Sequence, residues 1–354
     1  MNVRKKELIV LVLEIFTGAL SLCLASYLFK SFYVENFWYA CLASVIISLL
    51  SVYLKPLLEV LTLPINIITL GLTYPIINMI ILKVTGLLLG SNFIVKGFFI
   101  LAGIIISWIL INGECKKFKI NKDFVTNLLF WTIIFGIIGA RLYYCAFNLE
   151  DYLKSPIDIL KVWEGGLAIH GGIIFGALTI ILYSRKYKVP ALRMIDIIAP
   201  YLLLAQALGR WGNFFNGEVY GVATTLDKLK SIGIIPDFVI YGMNINGTYY
   251  TPLFYYESLW CLLGFIIILI IRKLKYTRVG FQTGAYMIWY GVGRFIFEGM
   301  RSPEFNLMFG NIKIAQLISI VLIVIGSIII LLQARKPKLT EMYNSGEKIE
   351  VVNM

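Results

Sequence analysis

Apolar residues run through this chain in blocks of about 20, separated by short polar stretches, a pattern that predicts helices crossing a membrane. Ten blocks stand out: Leu8–Phe29, Phe37–Leu54, Ile65–Leu89, Phe98–Ile111, Phe124–Phe147, Gly166–Tyr183, Met194–Phe215, Leu253–Ile271, Thr283–Phe297 and Ile314–Leu332. The expected fold class is an all-α polytopic membrane protein of about ten transmembrane helices. Pro56, Pro64, Gly71 and Pro75 should break or kink helix around the second and third spans. An internal repeat links the stretch FYVENFWYACLASVIISLLSVYL from Phe32 with FIVKGFFILAGIIISWILING from Phe93, which share a Phe-x-Val start, an aromatic pair and a central Ile-Ile-Ser.

The polar stretches carry the orientation. Arg4, Lys5 and Lys6 precede the first span, and Lys116, Lys117, Lys119 and Lys122 form a basic hinge. Arg185, Lys186, Lys188 and Arg193, then Arg272, Lys273, Lys275 and Arg278, make two basic loops, and Arg335, Lys336 and Lys338 begin the tail. By the positive-inside rule all of these lie in the cytoplasm, so both termini are expected there. The loops Asn148–Gly165, Asn216–Pro252 and Glu298–Lys313 are then extracytoplasmic, and the longest, rich in Gly, Tyr and Asn, could form a small head. Asn246-Gly247-Thr248 matches a glycosylation acceptor triplet, a pattern common by chance.

Composition agrees with a membrane solvent: 59% of residues are hydrophobic, 15% are charged, and mean hydropathy is +0.82. The net charge of +12 falls in the clusters above instead of on one soluble face, which argues against nucleic acid as a partner. Cys23, Cys41, Cys115, Cys145 and Cys261 lie in or beside apolar blocks without a CxxC pair, so neither a disulfide frame nor a metal cluster is expected. The first apolar block is too long for a signal-peptide core and reads as a retained anchor.

Candidate chemistry gathers at the span ends. In QALGRWGNFFNGEVYG, Gln206, Arg210 and Asn213 are spaced i, i+4, i+7 on one helical face. A charged Arg at mid-bilayer costs about 2.5–3.5 kcal/mol on insertion scales, so it normally faces a polar cavity or a bound anion. The alternative is an interfacial Arg that snorkels to the head groups. In WYGVGRFIFEGMR, Tyr290, Arg294, Glu298 and Arg301 fall close to one stripe, where an Arg–Glu pair is the simple structural account. Two Arg-bearing faces could together hold a phospholipid head group, because guanidinium forks bind phosphate through paired hydrogen bonds. His170, in EGGLAIHGGIIFG, is the chain's one histidine. Imidazole suits proton transfer near neutral pH, while a lone His in a span could equally just bond a neighbouring helix. Arg141 in GARLYY and Glu257 in TPLFYYESLW add charges at other span ends.

In order along the chain, GIIGARLYY, WEGGLAIHGG, LGRWGNFFNGEVYG, TPLFYYES and GVGRFIFEGMR resemble the prolipoprotein diacylglyceryl transferase family from about Glu114 to Lys338. The stretch Met1 to about Gly113 resembles four-span proteins related to phage holins, particularly in LTLPINIITLGL. The first resemblance implies transfer of the diacylglyceryl group of phosphatidylglycerol to the lipobox cysteine thiol of prolipoproteins, in the bacterial cytoplasmic (inner) membrane, with no cofactor and no metal. It implies that Arg210 and Arg294 stabilise phosphate and that His170 is the base. Asn213, Glu218, Gly221 and Glu298 match other positions of the family's site, and Arg141 and Tyr290 are taken as substrate-binding residues. The expected domains are a holin-like four-span module, 1–113, and a six-span transferase domain with a short polar tail, 114–354. The family normally begins with a span bearing an important tyrosine, and here Lys96 stands at the matching place. Either the holin-like bundle has replaced that span or Phe98–Ile111 serves both roles. The alternative is a non-enzymatic holin-like or lipid-binding membrane protein with an inactive transferase half.

Overall fold

A computed structural model describes the chain apart from residues 1–2, 29–31, 70–72, 96–97, 162–165, 275–276, 303–307, 310–311, 336–341, 344–348, 350 and 352–354. Its elements run α1 (Val3–Leu28), β1 (Phe32–Val34), α2 (Phe37–Thr69), α3 (Thr73–Leu89), β2 (Phe93–Val95), α4 (Phe98–Cys115), α5 (Lys122–Phe147), α6 (Leu149–Lys154), α7 (Ile169–Lys186), α8 (Ala191–Asn216), β3 (Ala223–Thr224), α9 (Leu226–Ser231), α10 (Asp237–Gly242), β4 (Asn244–Ile245), β5 (Thr248–Tyr250), α11 (Leu253–Arg272), α12 (Phe281–Met300), β6 (Met308–Phe309), β7 (Ile312–Lys313) and α13 (Ile314–Ala334). The expected spans fall on helices, except that Ile65–Leu89 begins within α2, crosses residues 70–72 and continues as α3. Among the described residues, seven helices are long and apolar enough to cross a membrane: α2, α3, α4, α5, α8, α11 and α13. Helix α12 does not meet that apolar standard, since it carries Gln282, Arg294 and Glu298.

Pro56 and Pro64 do not break the helix that holds them. Helix α2 continues through Pro56 and Pro64 to Thr69, well beyond the expected Leu54. Pro75 lies in the first turn of α3, where a missing N–H has no intrahelical partner to lose. Gly71 is outside the described residues.

Residues 1–101 and 137–172 form one compact unit, and residues 102–136 and 173–354 form a second. In the first unit the internal repeat becomes a repeated helix–strand–helix order. Its two Phe-x-Val starts pair antiparallel, with Phe32 opposite Val95, Tyr33 opposite Ile94 and Val34 opposite Phe93. The register is that of a local two-fold, and Phe32 and Phe93 meet edge to face at 5.2 Å.

The second unit is built on α8. Ser107 of α4 donates to the Tyr201 carbonyl at 2.9 Å, and a Cβ on Gly103 would sit 3.2 Å from the Ala205 carbonyl oxygen, so α4 lies close against α8. Leu203 and Ala207 of α8 pack with Cys261 and Ile268 of α11. Helices α12 and α13 touch backbone to backbone, because a Cβ on either Gly284 or Gly326 would come within 2.7 Å of the other's carbonyl oxygen. Small residues give spanning helices this close approach where lipid supplies no hydrophobic drive.

The long loop after α8 folds into the small head expected of it. Its strands order β3-β5-β4, and Leu229, Ile235, Val239, Ile240 and Met243 pack on Phe254 with Trp211 and Phe214 against them. Asn246 and Gly247, at φ 52° and 83°, form the two-residue turn between β4 and β5. Both central residues of such a turn need positive φ, which accounts for Asn-Gly here as hairpin chemistry.

Candidate functional site

Three helices of the second unit bring their charges together. Arg210, near the end of α8, places Nε 2.5 Å from Glu257 Oε2 at the start of α11. The other oxygen of Glu257 lies 3.9 Å from Arg294 Nη1 on α12. Arg294 Nη2 is 2.8 Å from Glu298 one turn on, and Arg301 Nη1 is 3.6 Å from the same carboxylate oxygen. The chain Arg210–Glu257–Arg294–Glu298–Arg301 alternates in sign and carries three guanidinium groups against two carboxylates, one positive charge in surplus. Lys313 adds a cation at its far end by donating to the Glu298 carbonyl at 2.8 Å.

Burial divides the pairs unequally. The side chains of Glu257 and Glu298 are 5% and 2% exposed, whereas Arg210 and Arg294 keep 23% and 19%. Both arginines line one small cavity with Gln206, Glu257, Tyr290 and Gly293. Trp260 also lines the cavity and pairs with Trp289 of α12. Trp260 Nε1 donates to the Trp289 carbonyl at 3.1 Å, Trp289 Nε1 donates to the Trp260 carbonyl at 2.9 Å, and the rings stack at 4.4 Å. The rings fit because Gly293 and Gly264 leave room: a Cβ at either would come within 2.3 Å of an indole nitrogen. Tyr290 stacks on Tyr286 at 5.9 Å, and Tyr286 accepts from Gln206 Nε2 at 3.0 Å.

Asn213 separates from Gln206 and Arg210. It lines a neighbouring small cavity with Phe214, Gly217, Glu218 and Tyr220, and its carbonyl accepts the Glu218 N–H at 2.9 Å as α8 ends. Gly217 ends the helix with φ 65°, a left-handed conformation natural to glycine, and a Cβ there would meet open space. Its role is to end the helix. Gly221 has a different reason: a Cβ would sit 2.9 Å from Thr251 Cβ and 3.2 Å from the Met300 carbonyl oxygen. Its N–H donates to Thr251 at 3.0 Å and it bridges to Arg301, so it fastens the head beside the last arginine of the network.

Arg141 belongs to the first unit and is buried. Its Nε donates to the Ile159 carbonyl at 2.9 Å, Nη1 to Gly166 at 3.1 Å and Nη2 to Asp158, while Tyr152 lies under the guanidinium at 5.1 Å. These contacts clamp the loop between α6 and α7. The Asp158 carboxylate faces Lys161 at 2.6 Å, which holds its carboxyl below the usual range. Gly166, at φ 70°, leaves space that a Cβ would lose to Arg141 and Tyr144. The backbone of His170 is in the first turn of α7, while its side chain, like Lys96, lies outside what the structure describes.

Along the sequence Glu257 is only one more charge at a span end. Its place between the two arginines depends on how α11 sits between α8 and α12, and the only signal along the chain was a carboxylate in the opening turns of an apolar helix.

The sequence model of the family described as prolipoprotein diacylglyceryl transferase matches residues 90–332. That described as mycobacterial four-span phage holin, superfamily IV, matches residues 9–112. The two overlap on residues 90–112, which include most of α4. Among similar proteins, one from Listeria monocytogenes serotype 4b is 43% identical over 240 residues, covering 68% of this chain and 85% of its own. One from Staphylococcus saprophyticus is 41% identical with the same coverage. One from Enterococcus faecalis is 42% identical over 246 residues, covering 69% of this chain and 87% of its own. All three bear the name phosphatidylglycerol--prolipoprotein diacylglyceryl transferase.

Proposed function

The chain belongs to the prolipoprotein diacylglyceryl transferase family, and from that premise we propose how its own residues carry the reaction. It is a membrane enzyme that transfers a diacylglyceryl group from phosphatidylglycerol to a prolipoprotein. The acceptor is the lipobox cysteine. Its thiolate attacks the glycerol carbon that bears the phosphate, a C–S bond forms, the C–O bond breaks, and glycerol phosphate departs with the electron pair.

Arg210 and Arg294 hold that phosphate. The observation that carries the assignment is the surplus positive charge of the Arg210–Glu257–Arg294–Glu298–Arg301 chain, with two guanidinium groups opening on one cavity. Without substrate the two buried carboxylates offset part of the charge of the half-buried arginines, since a buried charge left unpaired costs several kcal/mol. A phosphate matches the guanidinium fork and replaces part of that pairing, and its charge grows as the C–O bond breaks. Fixed cations act most strongly there. Tyr290 lines the same cavity, Glu298 orients Arg294, and Gly221 with Asn213 and Glu218 shapes the head beside it.

His170 takes the thiol proton. A thiol with a pKa near 8.5 is mostly un-ionised at neutral pH, and imidazole is the side chain suited to accept its proton there. Arg141 acts by holding the loop before α7 in place. Helix α4 stands in for the family's usual first span, supported by its packing on α8 and by the overlap of the two similarity matches on residues 90–112. The chain lies in the bacterial cytoplasmic membrane with both termini inside, as its basic loops direct.

Rescue of a bacterial strain depleted of its own transferase tests this function. The wild-type chain should restore lipoprotein maturation, and Arg210→Ala/Arg294→Ala should not. Normal maturation by the double variant would remove the arginines from the reaction.

A further inference from the structure

We propose that Tyr343, in the C-terminal tail, is a positioning residue that fixes the three site-bearing helices from their opposite ends. Helices α8, α11 and α12 carry Arg210, Glu257 and Arg294 toward one end and Asp196, Arg272 and Gln282 toward the other. Those second residues meet in a separate buried network. Arg272 donates Nε to Gln282 Oε1 at 2.5 Å and Nη1 to the Tyr201 hydroxyl at 3.1 Å. Its Nη2 reaches the carbonyls of Asp196 and Ile197 at 3.3 and 3.2 Å. The Asp196 carbonyl is open to it because Pro200, four residues on, has no N–H to offer. The Asp196 carboxylate in turn accepts from Gly280 N–H at 2.6 Å and Thr283 N–H at 2.8 Å, capping the start of α12.

Tyr343 closes this network. It is fully buried although it lies beyond α13 and beyond the residues that match the transferase family. Its N–H donates to the Thr277 carbonyl at 2.7 Å, and its carbonyl accepts from Arg193 Nη1 at 3.2 Å. Its hydroxyl donates to Glu114 Oε1 at 3.0 Å, while the other oxygen of Glu114 lies 3.5 Å from Arg272. Its ring meets Phe118 edge-on at 5.3 Å and lies under the Arg272 guanidinium at 5.4 Å. Further along the tail, the Ile349 N–H donates to the Phe118 carbonyl at 2.9 Å. One residue thus joins α4, the first turn of α8, the turn after α11 and the arginine that ties α8 to α12.

The consequence for the reaction is geometric. A helix is a stiff rod, so releasing its far end tilts the end that holds a site charge. A misplacement of about 1 Å at a reacting centre can cost on the order of a hundredfold in rate. Tyr343 touches no substrate; it acts through Arg272 and Glu114 on the spacing of Arg210, Glu257 and Arg294. This inference rests on the roles proposed for Arg210 and Arg294.

The test uses the full chain in lipid nanodiscs, as wild type, Tyr343→Phe and Tyr343→Ala, with a chain ending at Ala334 supplied with a synthetic peptide of residues 335–354. Turnover is taken per folded molecule, counted by hydrogen-exchange protection of α8, α11 and α12, and expressed relative to wild type. An inactive wild type would speak against the transferase function and would show as such before any ratio is formed. Tyr343→Ala and the shortened chain are expected to lose about tenfold or more in kcat with a smaller change in KM. Tyr343→Phe, which keeps the ring and loses the bond to Glu114, should fall between. The peptide should restore kcat saturably, and the same peptide with Tyr343→Ala should not. A merely structural tail would lower the folded fraction or the melting temperature and leave kcat per folded molecule at the wild-type value, and that result would overturn the proposal.

Discussion

Arg210 sits where an apolar helix ends and shares its carboxylate, because Glu257 also faces Arg294 and cannot neutralise both. Spacing placed Tyr290 beside Arg294 on one helix and Arg210 on another, and the cost of a charge in a spanning helix suggested that both faces meet something polar. The bridging of Glu257 and the tight slots at Gly264 and Gly293 were not legible, because each depends on a partner from another helix. His170 is the residue whose role stands on sequence. If it accepts the thiol proton, His170→Gln should slow transfer severely at neutral pH and recover in part as pH rises, because the thiol then ionises by itself near pH 8.5. Rate–pH profiles of purified enzyme with phosphatidylglycerol and a lipobox peptide read this directly. A flat profile near the wild-type rate would remove the imidazole from the mechanism.

Helices α11 and α12 are locked by a contact that the hydrophobic pattern does not encode. Each tryptophan of the Trp260–Trp289 pair donates to the other's carbonyl, and each needs a glycine on the facing helix. In Gly293→Ala the new methyl would fall 2.3 Å from Trp260 Nε1, so the ring must move and the reciprocal bonds must lengthen. Overpacking of this kind costs about 1–3 kcal/mol, and the melting temperature in detergent should fall accordingly. Unchanged melting would mean that the pair does not fix the helices. Along the rest of the chain, helix positions were legible from apolar runs alone. The end of α2 was not, because two interior prolines suggested a break that the helix does not take. Asn246-Gly247 did carry its structure in sequence, as a hairpin turn, once read through the positive φ that both residues adopt.

Over the whole molecule, two similarity matches meet in one helix. The holin-like and transferase matches overlap on residues 90–112, and α4 packs on α8, which carries Arg210. A chain starting near Ser91 should therefore keep more transferase activity than one starting at Glu114, compared at equal membrane insertion. Equal activity would mean that α4 does not replace the family's usual first span. Tyr343, by contrast, stands in a polar tail whose sequence gave no hint of burial, and its place became visible only through Glu114 and Arg272. Two arginines acting on one phosphate should be coupled in the reaction, and a double-mutant cycle measures that directly. Single-turnover transfer by wild type, Arg210→Ala, Arg294→Ala and the double variant should show each single change costing at least about tenfold. The double variant should be much less impaired than the product of the two losses, because both removals strike the same transition-state charge. Losses that multiply independently, or a near wild-type rate in either single variant, would contradict a shared phosphate.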